Sequence, residues 1–528
     1  MRRFVHLVVG LFLVLASSVS AQEGVMQAQE GRVNPVVPPK MEWKATLPAF
    51  SESERQRMEQ ILQGVNISVP IPDGPSPGPA PAVPLEFPPS LSTSGPAPQA
   101  PGDLVVARLT SLGGAAGGLK STVGEPTVSG YGNILLQSGN WYLAVSFDAG
   151  ASWGFVDPFA LLAGVDGGFC CDQVVRYEPS RDLLLYLTMS VPSGATGRDT
   201  LRLFAIHGLR SGCCAIVAYD FTPQGIGLPA GQWHDYPKMT VGKNNVYITT
   251  NRFAPAPGGS FQGSTLYRLP LDPLKAGAGF GFNFFNMSEP SPLVAEGIGD
   301  SDTAYWGSNI NTSTLRIFRW AESSTTIFST DVAVATWSDA ARVCVGPDGR
   351  DFGGRVDGRL QFAVFSNRTD GVDGKQLLFM QSSAAQPSSG RAFAYMRGTR
   401  VAVGTWAPLD TRDFAFGDVC AIYAAGSVNS QGGIGLSSFV GGGALTPSHL
   451  VALWDEFGGT GTFPFQFAVI RGSTQGPNSN AWGDYLSVDP LSPITCAFQT
   501  AGYVLIGGGA GTNVDPHYAS FGREKCFP

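Results

Sequence analysis

Gly139-Asn-Trp-Tyr-Leu-Ala-Val-Ser-Phe-Asp-Ala-Gly-Ala-Ser-Trp153 reads as a strand, a tight turn and the start of a second strand. Leu143, Val145 and Phe147 alternate with smaller or polar residues, the period of one strand face. Asp148-Ala149-Gly150 then reverses the chain. An Asp side chain can bond the backbone two residues on, and Gly accepts a positive φ without a Cβ clash. Trp153 is large enough to fold back over the turn.

Ser146-x-Asp148-x-Gly150-x-x-Trp153 resembles the Asp-box, the hairpin signature of sialidase-like β-propellers. In that family the box sits on the outer rim, away from the ligand face. The resemblance therefore implies a fold and carries no chemistry. It does not extend to the activity. Sialidases have an Arg-Ile-Pro motif, an arginine triad and a Tyr/Glu nucleophile pair. Here there is no Arg-Ile-Pro, and Arg176, Arg252, Arg342 and Arg355 stand in no triad context.

The whole chain agrees with an all-β reading. Its 528 residues are 43% hydrophobic and only 14% charged, and 68 Gly and 39 Pro supply turns. The formal net charge of −7 gives no general attraction to nucleic acid or anionic lipid. Met1-Arg-Arg3, the apolar run Phe4 to Ala16 and Val19-Ser20-Ala21 before Gln22 form a signal-peptide pattern over residues 1–21. That run is shorter than the ~20 residues of a membrane span. The mature chain is expected to be secreted, periplasmic or on the cell surface, without a membrane span, and monomeric.

Export makes the eight cysteines candidate disulfides: Cys170, Cys171, Cys213, Cys214, Cys344, Cys420, Cys496 and Cys526. The expected pairing joins the 170/171 doublet to the 213/214 doublet, Cys344 to Cys420 and Cys496 to Cys526. Zinc is disfavoured, since no Cys-x-x-Cys occurs and only 5 His are present.

Four regions follow: the signal peptide at 1–21, a leader at 22–68, a Pro/Ser/Gly-rich linker at 69–103 and the β domain at 104–528. In the leader, Ser51-Glu-Ser-Glu54 matches a capping box, and Met58, Ile61 and Leu62 follow at helical spacing. They predict one helix over 52–63. From residue 104 onward, openings with a small or acidic residue precede apolar alternating runs. They stand at 124–128, 171–175, 235–241, 299–302, 341–345, 417–421 and 483–488. Spacings of roughly 40 to 75 residues leave room for about four short strands each. Seven openings predict seven blades, within a range of six to eight. Leu104-Val-Val-Ala-Arg-Leu109 is expected to close the ring against Tyr518 to Phe521. Two β-sandwiches are the rival arrangement, but no Pro/Ser-rich break divides residues 104–528.

The propeller resemblance implies that the openings lie around one axis at the ligand face. It would gather Glu125, Asp172, Asp235, Asp300, Asp418 and Asp484 there, with Arg342 as the one basic member. Asp484, Asp235, Glu125, Asp172 and Arg342 are the catalytic candidates. Two carboxyls can run glycoside hydrolysis, one as acid and one as base or nucleophile. No cofactor is required, although Asp172, Asp235, Asp300 and Asp418 are candidate oxygen ligands for Ca²⁺. The plainer reading is that these acids bond backbone amides and hold blades in register.

Aromatic rings beside Asp and Asn suit sugars, which have apolar C–H faces and many hydroxyls. Trp482-Gly-Asp484-Tyr485 and His234-Asp235-Tyr236 are the ligand-binding candidates. Among other aromatics near the openings, Tyr131, Trp141, Trp233 and Trp306 are expected to be mainly core. The first functional reading is a non-catalytic module for an extracellular glycan or protein ligand. The alternative is a glycan-cleaving enzyme, a glycoside hydrolase or lyase, using the same carboxylates.

Overall fold

The computed structural model describes residues 23–64, 69–75, 104–113, 119–229, 231–254, 259–366, 374–454 and 466–527. The signal-peptide pattern and residues 76–103 of the linker lie outside them. Seven antiparallel sheets succeed one another along the chain and form a seven-bladed propeller. Their inner strands are Thr127–Tyr131, Val174–Glu178, Trp233–Val241, Leu293–Val294, Leu360–Ser366, Cys420–Val428 and Ser487–Pro490, numbered here as blades 1 to 7. The core lies between facing sheets, where apolar residues from neighbouring blades form continuous clusters. No described helix is long and apolar enough to cross a membrane.

Three leader strands, β1 (Glu23–Gln27), β2 (Gln29–Val33) and β3 (Pro35–Val36), add themselves as outer strands to blades 4, 3 and 2 in turn. The leader had shown no strand period, and the reason is visible: an outermost strand buries little on either face. The helix α1 (Glu52–Gly64) forms as expected. Ser51 N–H donates to Glu54 Oε2 at 2.9 Å and Glu54 N–H to Ser51 Oγ at 3.3 Å, the reciprocal cap the sequence predicts. Strand β4 (Leu104–Ser111) closes the ring, with Thr110 opposite Tyr518 and Val106 opposite Phe521.

The Asp-box stretch forms the connection between the third and fourth strands of blade 1. Ser146 Oγ donates to Asp148 Oδ1 at 2.7 Å and accepts Gly150 N–H at 2.8 Å. Asp148 also accepts Ser152 N–H at 2.8 Å. The Ser152 hydroxyl bond is the leading reason its carboxyl is held down at about 2. Gly150 has φ +86°, and a Cβ there would press on the Tyr518 ring, against which Trp153 also packs.

Two of the seven expected openings were misplaced. In blade 4 the inner strand is Leu293–Val294, so 299–302 leads into its second strand. In blade 5 the inner strand begins at Leu360, so 341–345 is a preceding loop and Arg355-Val-Asp-Gly-Arg359 is the true entry. The cysteine doublets also depart from expectation. Each closes on itself, Cys170 with Cys171 and Cys213 with Cys214, because the doublets sit at opposite ends of blade 2. Cys344–Cys420 and Cys496–Cys526 pair as expected.

Candidate functional site

The chain enters several blades through a residue held at positive φ: Glu125 (44°), Asp172 (43°), Tyr236 (52°), Ser291 (46°) and Tyr423 (59°). For non-glycine residues this conformation is uncommon and costs energy, and it persists only where the surroundings fix it. At three of these entries an amide side chain fixes it. Asn140 Oδ1 accepts Asp172 N–H at 3.0 Å, and Asn251 Oδ1 accepts Ser291 N–H at 2.7 Å. Gln361 Oε1 likewise accepts Ala424 N–H at 2.9 Å. In each case one blade grips the entry of the next.

The entries bring together Glu125, Asp172, Asp235, Asp357 and Asp484 with Lys238, Arg355 and Arg359. Asp357 and Arg359 form a bidentate pair, both bonds 2.7 Å. Asp484 lies 3.4 Å from Arg355 and 3.6 Å from Arg359. Glu125 accepts Asn140 Nδ2 at 2.8 Å and the Asp484 N–H at 3.1 Å. Gly483 permits that approach, since a Cβ there would meet Glu125 N at 2.9 Å. Lys238 Nζ stands 3.5 Å from the Tyr485 ring centroid and 4.5 Å from that of Tyr236. The phenols of Tyr236 and Tyr485 are buried without a hydrogen-bond partner among the described residues.

Carboxyls outnumber cations in this buried cluster, and burial with mutual repulsion raises Glu125, Asp172 and Asp235 above the ordinary carboxyl range. Burial, then the charges of Asp172 and Asp484, push Glu125 well above the usual carboxyl range. Asp172 is pushed up to about 7 by burial and by Asp235. Asp235 is pushed up to about 8, its burial outweighing the Arg359 charge. Burial lowers Lys238 to about 7. Asp357 is the contrast: burial would raise it, but the charge and hydrogen bonds of Arg359 hold it below the usual value.

Deeper on the axis, Arg176 of blade 2 reaches Glu296 at 2.9 Å and Asp489 of blade 7 at 3.5 Å. The adjoining cavity measures about 30 Å³, about the volume of one water. The axis is thus filled beside this network. At the upper face a pocket of about 200 Å³ lies between α1 and the propeller. Glu59 and Leu62 of the helix, Ser121, Thr122, Arg355, Asn478 and Ser479 line it, with the backbone of Gly509–Gly511. The helix is fastened at both ends: Arg55 Nη1 donates to Lys120 O at 3.0 Å, and Arg355 Nη1 to Leu62 O at 3.4 Å.

Of the sequence candidates, Glu125, Asp172, Asp235, Asp484, Tyr236 and Tyr485 share the central cluster. Trp482 does not offer a face to solvent: it is fully buried, stacked on Tyr503 at 4.6 Å and edge-on to Phe439. His234 is fully buried within blade 3, its Nε2 3.0 Å from Tyr267 Oη and its Nδ1 3.3 Å from Asp199. Arg342 belongs to the misplaced opening. It pairs with Asp339 at 2.7 Å and donates to Ser382 O at 2.8 Å. Asp418 is half-buried just before the blade 6 inner strand, and the Asp300 side chain lies outside the described residues. Among the described residues, no three of His, Cys, Asp and Glu are grouped to hold a metal.

Sequence reading set Arg355 aside as an arginine outside any triad, and missed Asp357, Arg359, Lys238 and the gripping residues Asn140, Asn251 and Gln361. A usable signal was present for the blade 5 set. Arg355-x-Asp357-x-Arg359 directly precedes a largely apolar strand, Leu360-Gln-Phe-Ala-Val-Phe365, as the other entries do.

No protein-family model matches the sequence, and no curated protein matches it. Among solved structures, the chain is similar to an α-L-arabinofuranosidase of Fusarium graminearum in complex with an iminosugar inhibitor. The TM-score is 0.37 at 11% identity, over 76% of this chain and 93% of that one. It is also similar to a protein of unknown function from Dyadobacter fermentans (TM-score 0.35, 10% identity, 67% and 98% covered). A mutant apocarotenoid oxygenase of Synechocystis is a third (TM-score 0.35, 10% identity, 62% and 68% covered). The likeness is one of chain path, at identities where residue roles do not transfer.

Proposed function

We propose that this is an exported propeller that binds a glycan, without cleaving it, in the pocket between α1 and Arg355. The observation that carries the reading is the character of that pocket. It offers a guanidinium, a carboxylate, an amide, hydroxyls and backbone groups in about 200 Å³. Such a mixture of donors and acceptors suits a ligand rich in hydroxyls. Arg355 gives Nε and Nη2 to Asp484 and Nη1 to Leu62 O, so its guanidinium is fixed in the pocket wall before a ligand arrives. Export is supported by the signal-peptide pattern and the four disulfides. Against cleavage, Glu125 and Asp484 are already committed to partners, and Glu125, Asp172 and Asp235 do not line the pocket.

One observation favours the alternative. Burial and the neighbouring Asp172 raise Glu125 well above the ordinary carboxyl range, an arrangement a glycoside hydrolase could use as acid and partner. A glycan array on the mature protein, with product analysis of every bound glycan, separates the readings. Binding without products, abolished by Ser479→Trp and by Arg355→Ala, is the expected result. Products that vanish with Glu125→Gln would replace binding by catalysis. Absence of both binding and products would overturn the glycan reading.

A further inference from the structure

A large cavity lies at the other end of the molecule from the central cluster, on the outer side of blades 1 and 2. It measures about 570 Å³, within the range of small-molecule sites. Its floor is the edge of the core between the two blades, with Leu136, Val145, Leu184 and Ile206 prominent. Its roof is built from the leader. Strand β3 pins the leader to blade 2 through Pro35 and Val36, opposite Tyr219 and Ala218. Lys44 pins it to blade 1, exchanging two 2.8 Å backbone hydrogen bonds with Phe155. The residues between, including Pro38 and Pro39, cross the cleft as a strap fixed at both ends, and proline limits its backbone freedom.

The lining is mainly hydrocarbon and aromatic, with Gly212 and the Cys213-Cys214 doublet at one side. At one edge Trp43 of the strap meets Phe147 of the Asp-box hairpin, ring centroids 5.3 Å apart. Both are large apolar side chains left half exposed, at 50% and 53%. Lys40 is the one charged side chain in the lining, and its ammonium is exposed, with Glu42 3.8 Å away. An exposed pair at that distance leaves Lys40 free to exchange partners. An apolar occupant would displace water from these walls and remove apolar area from solvent. The geometry points to a ligand site for an alkyl-chain carboxylate, its tail in the cavity between blades 1 and 2 and its carboxylate at Lys40.

The probe is a series of saturated fatty acids from C8 to C16, with dodecanol as the uncharged counterpart of dodecanoate. Binding to the mature protein is measured by titration calorimetry below the micellar concentration. We expect one site. Affinity should rise about fourfold per added methylene and then level once the cavity is full. Lys40→Glu should weaken dodecanoate about fivefold while leaving dodecanol unchanged. Ile216→Trp should fill the cavity and abolish binding. If that variant melts early, Met41→Trp on the strap makes the same test without disturbing a blade. The inference fails if no chain length binds. It fails equally if affinity climbs without levelling and survives the filling substitution in a folded protein, which is unspecific adsorption.

Discussion

Asn140 Oδ1 accepts the backbone N–H of Asp172 at 3.0 Å, tying the end of one strand of blade 1 to the entry of blade 2. The same amide donates through Nδ2 to Glu125 Oε2 at 2.8 Å and to Val123 O at 3.0 Å. Asn140 is buried, so Asn140→Ala strands a donor and two acceptors away from water. Each buried group left unpaired costs about 1–3 kcal/mol. Asn140→Ala should therefore lose on the order of 3 kcal/mol or more in chemical denaturation. Asn140→Asp keeps the acceptor for Asp172 but sets a carboxyl against Glu125, and should be no better. A loss under about 1 kcal/mol for Asn140→Ala would mean that the blade entries hold their form without this grip.

Two histidines answer to acid. His449 Nδ1 lies 2.7 Å from His517 Nε2, and Ser437 Oγ lies 2.6 Å from His449 Nε2, all buried. Burial pushes His449 down to about 3, and burial and the His449 charge push His517 well below its ordinary value. Between pH 3 and 6.5 the unfolded chain binds more protons at His449 than the native one does. The stability contributed there is present above the unfolded value of ~6.5 and is lost as pH falls. His449→Gln should flatten the acid-side fall in unfolding free energy by up to ~1.4 kcal/mol per pH unit. Parallel curves for the variant and the parent across that window would show that His449 titrates normally.

Asp235 works in the opposite sense. Its folded value, raised to about 8 by burial against Arg359, stands above the ~3.9 of an unfolded Asp. From pH 4 to 8 the native state therefore holds the extra proton, and this group makes the fold less stable as pH rises. Asp235→Asn removes the titration while keeping the shape. Relative to the parent, the variant should gain stability between pH 5 and pH 8, by up to ~1.4 kcal/mol for each pH unit. Denaturant midpoints at the two pH values measure it; an identical difference at both would contradict the raised value.

How far the sequence could be read follows from what each element buries. Inner and middle strands sit between facing sheets and carry dense apolar runs, so the all-β class, the blade count and five of the seven openings were legible; the outer closing strand Leu104–Ser111 was legible from its own alternation. Strands β1, β2 and β3 lie on outer edges with mixed exposure, and left no period to read. The acids Glu125, Asp172, Asp235 and Asp484 were found because each precedes an apolar strand. The entry carrying Arg355 and Arg359 was missed because Arg342 also precedes a short apolar run, Val343-Cys344-Val345, which here is a loop. Trp482 shows the limit of composition. A Trp beside Asp and Tyr fits a sugar platform and a packing core equally, and only its contacts with Tyr503, Phe439 and Phe352 distinguish them.

The leader is built into the propeller, and its loss should be felt by the whole domain. Glu23 to Gln27 pair with blade 4, Gln29 to Val33 with blade 3, and Pro35 and Val36 with blade 2. Removing residues 22–36 would bare the edges 326–333, 280–287 and 215–221 to solvent. The three ladders hold about ten hydrogen bonds, and at ~0.5–1 kcal/mol net for each the loss should be on the order of 5–10 kcal/mol, with a lower Tm. Exposed edges also pair between molecules, so the truncated protein should aggregate on heating where the parent does not. A protease site inserted between residues 76 and 103 supplies the complementary test. After cutting, the leader should co-elute with the propeller in size-exclusion chromatography. Release of the leader on cutting, with the propeller still monodisperse and its Tm unchanged, would mean that these strands rest on the blades without stabilising them.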